Sequence, residues 1–422
     1  MQRKAVNIYG TVCCLLLLVI FYEVQKVSYE SAITAMSSSI SQSSELLGKF
    51  GIIKRRTLDR LQFQNDKLKL KNNVNAVGLL ELLPSTYVSE KCRCISNRTG
   101  KSYDFCYRNP KNLSLTGKKF NCSYLSTLED LKLLEDTDLR LVNLSNKERN
   151  ESDVIFVSAI SSNHFGNFLQ MYELLKRHWP KQKVLLYSLD LSDTHIEKLE
   201  KDKNIKVRKF DYEKYPKHVE NWMEYRFKAL ILAEAIREFP NIWWTDSHNR
   251  WLKPKPLTNF YGEIAKCQGD VDCDKEICLS GKKCHLRKII FQKSSIMMFV
   301  NSTHSNYAVL MEGLLDYFPT FNIDTLKYND KGLQLSAAFV YLARTQFTLD
   351  VLKWHTLCAL EEKCMKPPNA KLKCDSIPEW DKYAGCFRFD QSSLNLLMFN
   401  SFRNHNHYFM NVGKVTRTYD HY

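Results

Sequence analysis

Glycine and proline are scarce in this chain of 422 residues, at 14 and 11. With 44% hydrophobic, 12% aromatic and 25% charged residues, that scarcity excludes collagen-like, low-complexity and wholesale disordered chains. Only one long apolar run is present, so a multi-span membrane protein is excluded too. The dinucleotide fingerprint Gly-x-Gly-x-x-Gly, the P-loop, Gly-x-Ser-x-Gly and His-Glu-x-x-His are all missing, which argues against four common enzyme classes. Acidic residues are the minority: 46 against 61 Lys and Arg, a formal charge of +15. Such a balance points to an acidic partner, whether nucleic acid, anionic membrane or phosphorylated small molecule. The length alone predicts two to three domains, or one large domain with appendages.

The compartment narrows that choice. Arg3 and Lys4 precede an uncharged stretch from Ala5 to Tyr22, which at about 1.5 Å per residue spans about 27 Å as a helix, enough for a thin bilayer. Glu23 follows directly with no small-residue cleavage site, so a signal anchor over residues 5–24 is preferred to a cleaved peptide. Positive charge ahead of the span places residues 1–4 in the cytosol and the body in the lumen. Asn-x-Ser/Thr glycan acceptors at Asn97, Asn112, Asn121, Asn143, Asn150 and Asn301 agree. So do twelve cysteines beyond the span, an even number that reads as up to six disulfides in an oxidising compartment. Among them Cys267, Cys273, Cys278 and Cys284 lack the tight spacing of zinc ligands. A lumenal body removes nucleic acid as a partner and leaves a phosphate-bearing small molecule or a glycan.

Residues 25–85, Ser-rich and then basic, read as a stem. Residues 86–150 carry four cysteines and five of the glycan acceptors and read as a disulfide-held accessory segment. From 151 the pattern alternates: strands at Val154–Val157, Val184–Tyr187, Ile205–Phe210 and Ile242–Trp244, with helical spacing at Phe168–Leu175, Thr194–Glu200 and Ala229–Phe239 between them. Ser192 stands as the N-cap of the second of these helices. Alternation of this kind predicts an α/β fold, a mostly parallel sheet flanked by helices over residues 151–422. Farther on, Ile289–Val300 reads as a strand, and Val309–Phe318 and Leu333–Tyr341 as helices.

Ligands of such sheets bind beyond the carboxyl ends of the strands, which draws attention to Trp243-Trp244-Thr245-Asp246-Ser247-His248-Asn249-Arg250-Trp251. A carboxylate there suits Mg²⁺ or Mn²⁺ and, through the ion, a diphosphate. Asp246 and His248 are the candidate metal pair, although the acidic motif is incomplete. Lys228, Arg226 and Arg250 are candidates for donor phosphate. Ser158 and Asn163, around the end of the first strand, are further donor contacts. Trp244 and Trp251, with Arg388 and Gln391, are candidates for sugar or acceptor contact, Trp243 adding to the same aromatic wall. Asp390 is the candidate catalytic carboxylate beside Asp246.

Tyr225-Arg226-Phe227-Lys228-Ala229-Leu230-Ile231, Trp244-Thr245-Asp246-Ser247-His248-Asn249-Arg250-Trp251 and Gly385-Cys386-Phe387-Arg388-Phe389-Asp390-Gln391-Ser392 resemble the signatures of an animal domain-of-unknown-function family, number 1647. The similarity runs from about 150 to 400. His248 stands where the family usually has Ser, and Phe387 where it often has His. The resemblance implies a type II membrane protein with a GT-A-like fold, related to nucleotide-diphospho-sugar transferases. The expected function is therefore a Golgi or endoplasmic-reticulum glycosyltransferase acting on a glycan or protein hydroxyl. The alternative is a non-catalytic membrane glycoprotein whose similar fold binds glycans or protein partners.

Overall fold

The computed structural model describes residues 89–142, 154–251, 295–410 and 415–417. The chain divides into Met1–Thr86 and Tyr87–Tyr422, and every described residue belongs to the second unit. The span expected at 5–24, the stem, Asn143, Asn150 and the cysteines at 267–284 lie outside the described residues. Among the described residues no helix is long and apolar enough to cross a membrane.

Two hairpins open the described chain, β1 (Arg93–Ile95) with β2 (Ser102–Asp104) and β3 (Cys106–Asn109) with β4 (Asn112–Lys119), followed by α1 (Leu125–Asp130). Disulfides Cys92–Cys106 and Cys94–Cys122 join them. The central sheet takes β5 (Val154–Ile160), β6 (Val184–Ser188), β7 (Ile205–Lys209) and β8 (Asn241–Thr245). Helices α2 (Phe165–His178), α3 (Asp193–Glu200) and α4 (Arg226–Glu238) connect them. The short β9 (Asn249–Trp251) follows, then β10 (Ile296–Met298), β11 (Asn301–Ser305), α5 (Glu312–Leu315), β12 (Leu333–Leu335) and β13 (Phe339–Ala343). Helices α6 (Gln346–Leu360), α7 (Glu362–Met365) and α8 (Phe389–Phe402) and strand β14 (Val415–Arg417) complete the order.

The sheet runs β10-β13-β8-β5-β6-β7. β7, β6, β5 and β8 are parallel, and β13 and β10 add antiparallel pairings at the β8 side. The chain thus builds outward from β5 to β7 and then returns to the other side of β5, so a crevice opens between the carboxyl ends of β5 and β8.

Strand side chains alternate between two cores, as period-2 geometry requires. Phe156 and Trp243 point to one face, with Phe168, Met171 and Leu175 of α2. Val157 and Trp244 point to the other, with α4, α6 and α8. The accessory segment contributes to that second core: Phe105, Phe120 and Leu128 belong to it, and Tyr107 meets Phe318 and Trp354 edge to face. Cys358–Cys364 closes the α6–α7 turn and Cys374–Cys386 the loop before α8. In that loop Gly385 has φ +71°, a backbone conformation that favours glycine.

The four parallel strands and their helices fall where the alternation predicts them, and Ser192 Oγ accepts the His195 N–H as an N-cap. Leu333–Tyr341 differs. It is not a helix but the two strands β12 and β13: Leu333-Gln334-Leu335-Ser336-Ala337 alternates as a strand does, while the buried apolar run 337–341 carries no periodicity that separates strand from helix. Val309–Phe318 holds only the single turn α5.

Candidate functional site

Lys228 is the third residue of α4, which starts from Tyr225 in the left-handed region at φ 53°. Its ammonium reaches Asp246, the first residue past β8, at 3.0 Å to Oδ1 and 3.2 Å to Oδ2. Asp390, in the first turn of α8, lies 3.6 Å from the same ammonium. Trp244 Nε1 donates to Asp246 Oδ1 at 2.9 Å, fixing the carboxylate from the strand end. Burial pulls the Lys228 ammonium toward neutrality, but Asp246 and Asp390 more than offset it, so its pKa is raised. Burial lifts Asp390 to about 6, with Lys228 opposing and Asp246 adding to the rise. His355 of α6 packs behind this group; burial and the nearby Lys228 charge lower its pKa to about 3, and Ser393 Oγ meets its Nδ1 at 3.0 Å.

Lys228, Trp244, Asp246, Ser247 and His248 form one wall of a cavity of about 750 Å³. The loop after β5 supplies Ser161, Asn163 and His164, the end of β6 supplies Leu189 and Asp190, and Trp222, Met223 and Tyr225 close the rim. Ser161 Oγ bonds His164 Nδ1 at 2.9 Å, and the His164 and His248 rings meet edge to face at 5.0 Å. A second cavity of about 870 Å³, along the edge strand β7, shares Leu189, Asp190 and Trp222 with the first. Asp190 is exposed at this junction, its Oδ1 held by the Ser162 backbone N–H at 2.5 Å. Trp222 is 37% exposed there.

The structure therefore brings together Lys228, Asp246, His248, Asn163 and Trp244. It separates the others. Arg226 is fully buried and faces away from the cavity: it donates to Glu224 Oε2 at 2.6 Å and to the carbonyls of Ala359, Glu361 and Glu362. It cannot meet a donor, because it caps the carboxyl end of α6. Arg250 donates to the Ser247 and Asn249 carbonyls and to Gln170 Oε1, bracing the turn after β8 against α2. Ser158 lies inside β5, fully buried and outside the cavity. Arg388 donates to the Leu372 carbonyl and Cys374 Sγ in the disulfide loop, and Gln391 ties α8 to β12 through Gln334 at 2.7 Å. Trp243 is in the opposite core, stacked on Phe299 at 4.7 Å; adjacent tryptophans on a strand cannot share a wall. The side chain of Trp251 lies outside the described residues. Asp390, the expected catalytic carboxylate, is only 4% exposed and does not line the cavity; it meets the site only as the second carboxylate facing Lys228.

Sequence reasoning passed over Asp190, His164, Trp222 and Tyr225. A signal for Asp190 existed: it stands just past the apolar strand Val184–Ser188, as Asp246 stands past β8. Of the glycan acceptors, Asn97, Asn121 and Asn301 are exposed and Asn112 is half-buried. Asn112, Asn121 and Asn301 each accept the backbone N–H of the Ser or Thr two residues on, an Asx turn.

Asp246 and His248 do not fit a divalent ion. Both carboxylate oxygens of Asp246 face the Lys228 ammonium, and His248 Nε2 accepts from Asn167 Nδ2 at 3.1 Å. Among the described residues, Cys92, Asp104 and Cys106 come close enough to one another to form a three-ligand group, but the two sulfurs are joined in a disulfide.

No curated protein sequence matches the chain. Among solved structures it is similar to the apo structure of the bifunctional glycosyltransferase WbbM, at 11% identity and TM-score 0.33 over 61% of this chain and 38% of that one. It is also similar to the galactosyltransferase LgtC in complex with donor and acceptor sugar analogs, at 12% identity and TM-score 0.32 over 57% of this chain and 69% of that one. The chain thus spans well under half the length of the first of these. Residues 92–233, about a third of the chain, match the family described as "Protein of unknown function (DUF1647)", so the resemblance read from the motifs holds, beginning earlier than expected in the accessory segment and ending within α4.

Proposed function

We propose that the protein is a glycosyltransferase of the secretory pathway, moving a sugar from a nucleotide donor to a glycan or protein hydroxyl. The observation that carries this reading is the Lys228–Asp246 pair at the wall of the cavity beyond β5 and β8, where a doubly wound sheet reverses and binds its ligand. A diphosphate in that cavity meets the ammonium, and the nucleoside extends along the loop of Asn163 and His164. The adjoining cavity takes the acceptor, with Trp222 as an amphipathic platform for a sugar face. Asp190 at the junction is the base: it takes the proton of the acceptor hydroxyl as that oxygen bonds the anomeric carbon. The bond to the donor diphosphate breaks, and its electron pair leaves with the diphosphate toward Lys228.

Placement in the Golgi or endoplasmic-reticulum lumen on a single N-terminal anchor belongs to the same proposal. It is supported by four disulfides among the described residues, a bond type of oxidising compartments, and by the exposed glycan acceptors. Calorimetric titration of the full-length protein with uridine, guanosine and cytidine diphosphates tests the reading. Binding of one of them, lost in Asp246→Ala, is expected. A folded protein that binds none overturns the enzyme, and binding unchanged in the variant overturns the site. The joined cavities with Trp222 at their boundary would also hold a saccharide without chemistry. Oligosaccharide binding with no nucleotide binding would select that non-catalytic reading.

A further inference from the structure

Resting on the nucleotide-diphosphate reading, we infer that Lys228 replaces the divalent metal: its ammonium is the cation that the acidic residues hold against the donor diphosphate, and the site works without an ion. In a site served by Mg²⁺ or Mn²⁺, the strand-end carboxylate points unpaired into the cavity and the ion lies between it and the phosphate oxygens. Here that place beside Asp246 belongs to Nζ, 3.0 Å from Oδ1 and 3.2 Å from Oδ2. These are hydrogen-bond separations between an ammonium and a carboxylate.

The surroundings hold the ammonium in place. Trp244 Nε1 fixes Asp246 Oδ1 from the strand, and Asp390, reached from α8, faces the same Nζ at 3.6 Å. The aromatic faces of Tyr225 and Trp244 lie 5.1 and 5.7 Å from Nζ, which favours a cation there. A lysine ammonium has three donors. The two oxygens of Asp246 share one direction, and Asp390 stands beyond ordinary hydrogen-bond length, so a donor remains for a phosphate oxygen. Among the described residues that line the cavity, Lys228 is the only Lys or Arg. A dication placed beside Asp246 would have to displace this ammonium or bear its repulsion. The second residue of the expected metal pair, His248, meets Asn167 instead.

The test is calorimetric titration of the full-length protein with uridine and guanosine diphosphates, in excess EDTA and again in excess Mn²⁺. We expect the Kd of whichever nucleotide binds to agree within about twofold in the two conditions. Lys228→Met should weaken it roughly tenfold or more, and Lys228→Arg should restore part of the loss. A Kd that tightens about tenfold or more with Mn²⁺, or binding abolished by EDTA, overturns the inference while leaving the glycosyltransferase reading intact. No binding in either condition overturns that reading, and this inference with it. If Lys228→Met does not fold, as its melting curve will show, the EDTA and Mn²⁺ arms on the unaltered protein still decide.

Discussion

Arg226 and Lys228 stand two residues apart at the start of the same helix, and they have opposite lives. Arg226 turns inward, to Glu224 and to three backbone carbonyls at the end of α6 and the start of α7. Lys228 turns to the cavity and to two carboxylates from distant elements. The chemistry of each cation matches its task. A guanidinium offers five donors in a planar fork and can serve several carbonyls at once, whereas an ammonium is a compact point charge with a donor to spare. Glu224, buried beside Arg226, also meets Lys366 at 2.8 Å. Burial alone would raise its pKa, but Lys366 and Arg226 bring it below the ordinary value. The first cluster is a closed network within the fold, and the second opens on empty volume.

If that contrast is right, breaking the brace should cost stability and breaking the site should cost function. Arg226→Ala is expected to have the largest effect. It leaves Glu224 and the helix-end carbonyls short of a buried partner, so denaturant unfolding should show a loss of about 3–5 kcal/mol. Asp190→Asn should leave the unfolding midpoint and the nucleotide Kd unchanged. Its turnover should fall about a hundredfold, a barrier increase of about 2.7 kcal/mol; unchanged turnover would remove Asp190 from the site.

The third prediction concerns pH. His355 is held neutral in the fold down to about pH 3, while an unfolded imidazole takes a proton below about 6.5. The unfolded state then binds more protons, so stability falls as pH drops from about 6.5 toward 3. Asp390, raised to about 6, acts in the opposite sense. Its folded form gains a proton below about 6 while the unfolded carboxyl waits until about 4, so stability rises as pH falls through that window. His355→Leu should remove the first effect. Relative to the unaltered protein it should gain about 1.4 kcal/mol between neutrality and about pH 5.5, measured by urea unfolding at each pH. An identical pH slope in both proteins would show that His355 is not neutral in the fold. The smallest effect on stability should come from Trp222→Ala, within about 0.5 kcal/mol at an exposed position. Acceptor saturation should nonetheless shift to higher concentration, with nucleotide affinity retained.

Much of the sheet was legible because strands such as Val184–Tyr187 and Ile242–Trp244 are short apolar runs separated by helices with clear spacing. The strand-end position of Asp246 followed from that alternation alone. The failures have physical causes. In Leu333–Tyr341 the alternation Leu333-Gln334-Leu335-Ser336-Ala337 marks a strand, but the uniformly apolar residues 337–341 that follow show neither period and obscure it. Arg226, Arg250, Arg388 and Gln391 have the residue types of a phosphate or sugar site, but type does not reveal direction. Each is turned toward backbone carbonyls or side chains that arrive from other parts of the chain. Asp390 lies 144 positions after Asp246 in the numbering, and no spacing rule links them.

The sequence by itself determined the alternating α/β pattern, the cysteine-rich character and the carboxylate beyond the fourth parallel strand, since these depend on local periodicity and composition. Only the tertiary structure decided which cation faces the cavity, which carboxylate is buried behind it and which lies open at the junction with the second cavity. Those are outcomes of packing α4, α6 and α8 against one face of the sheet. Direction, burial and charge pairing are properties of elements brought together from far apart in the chain.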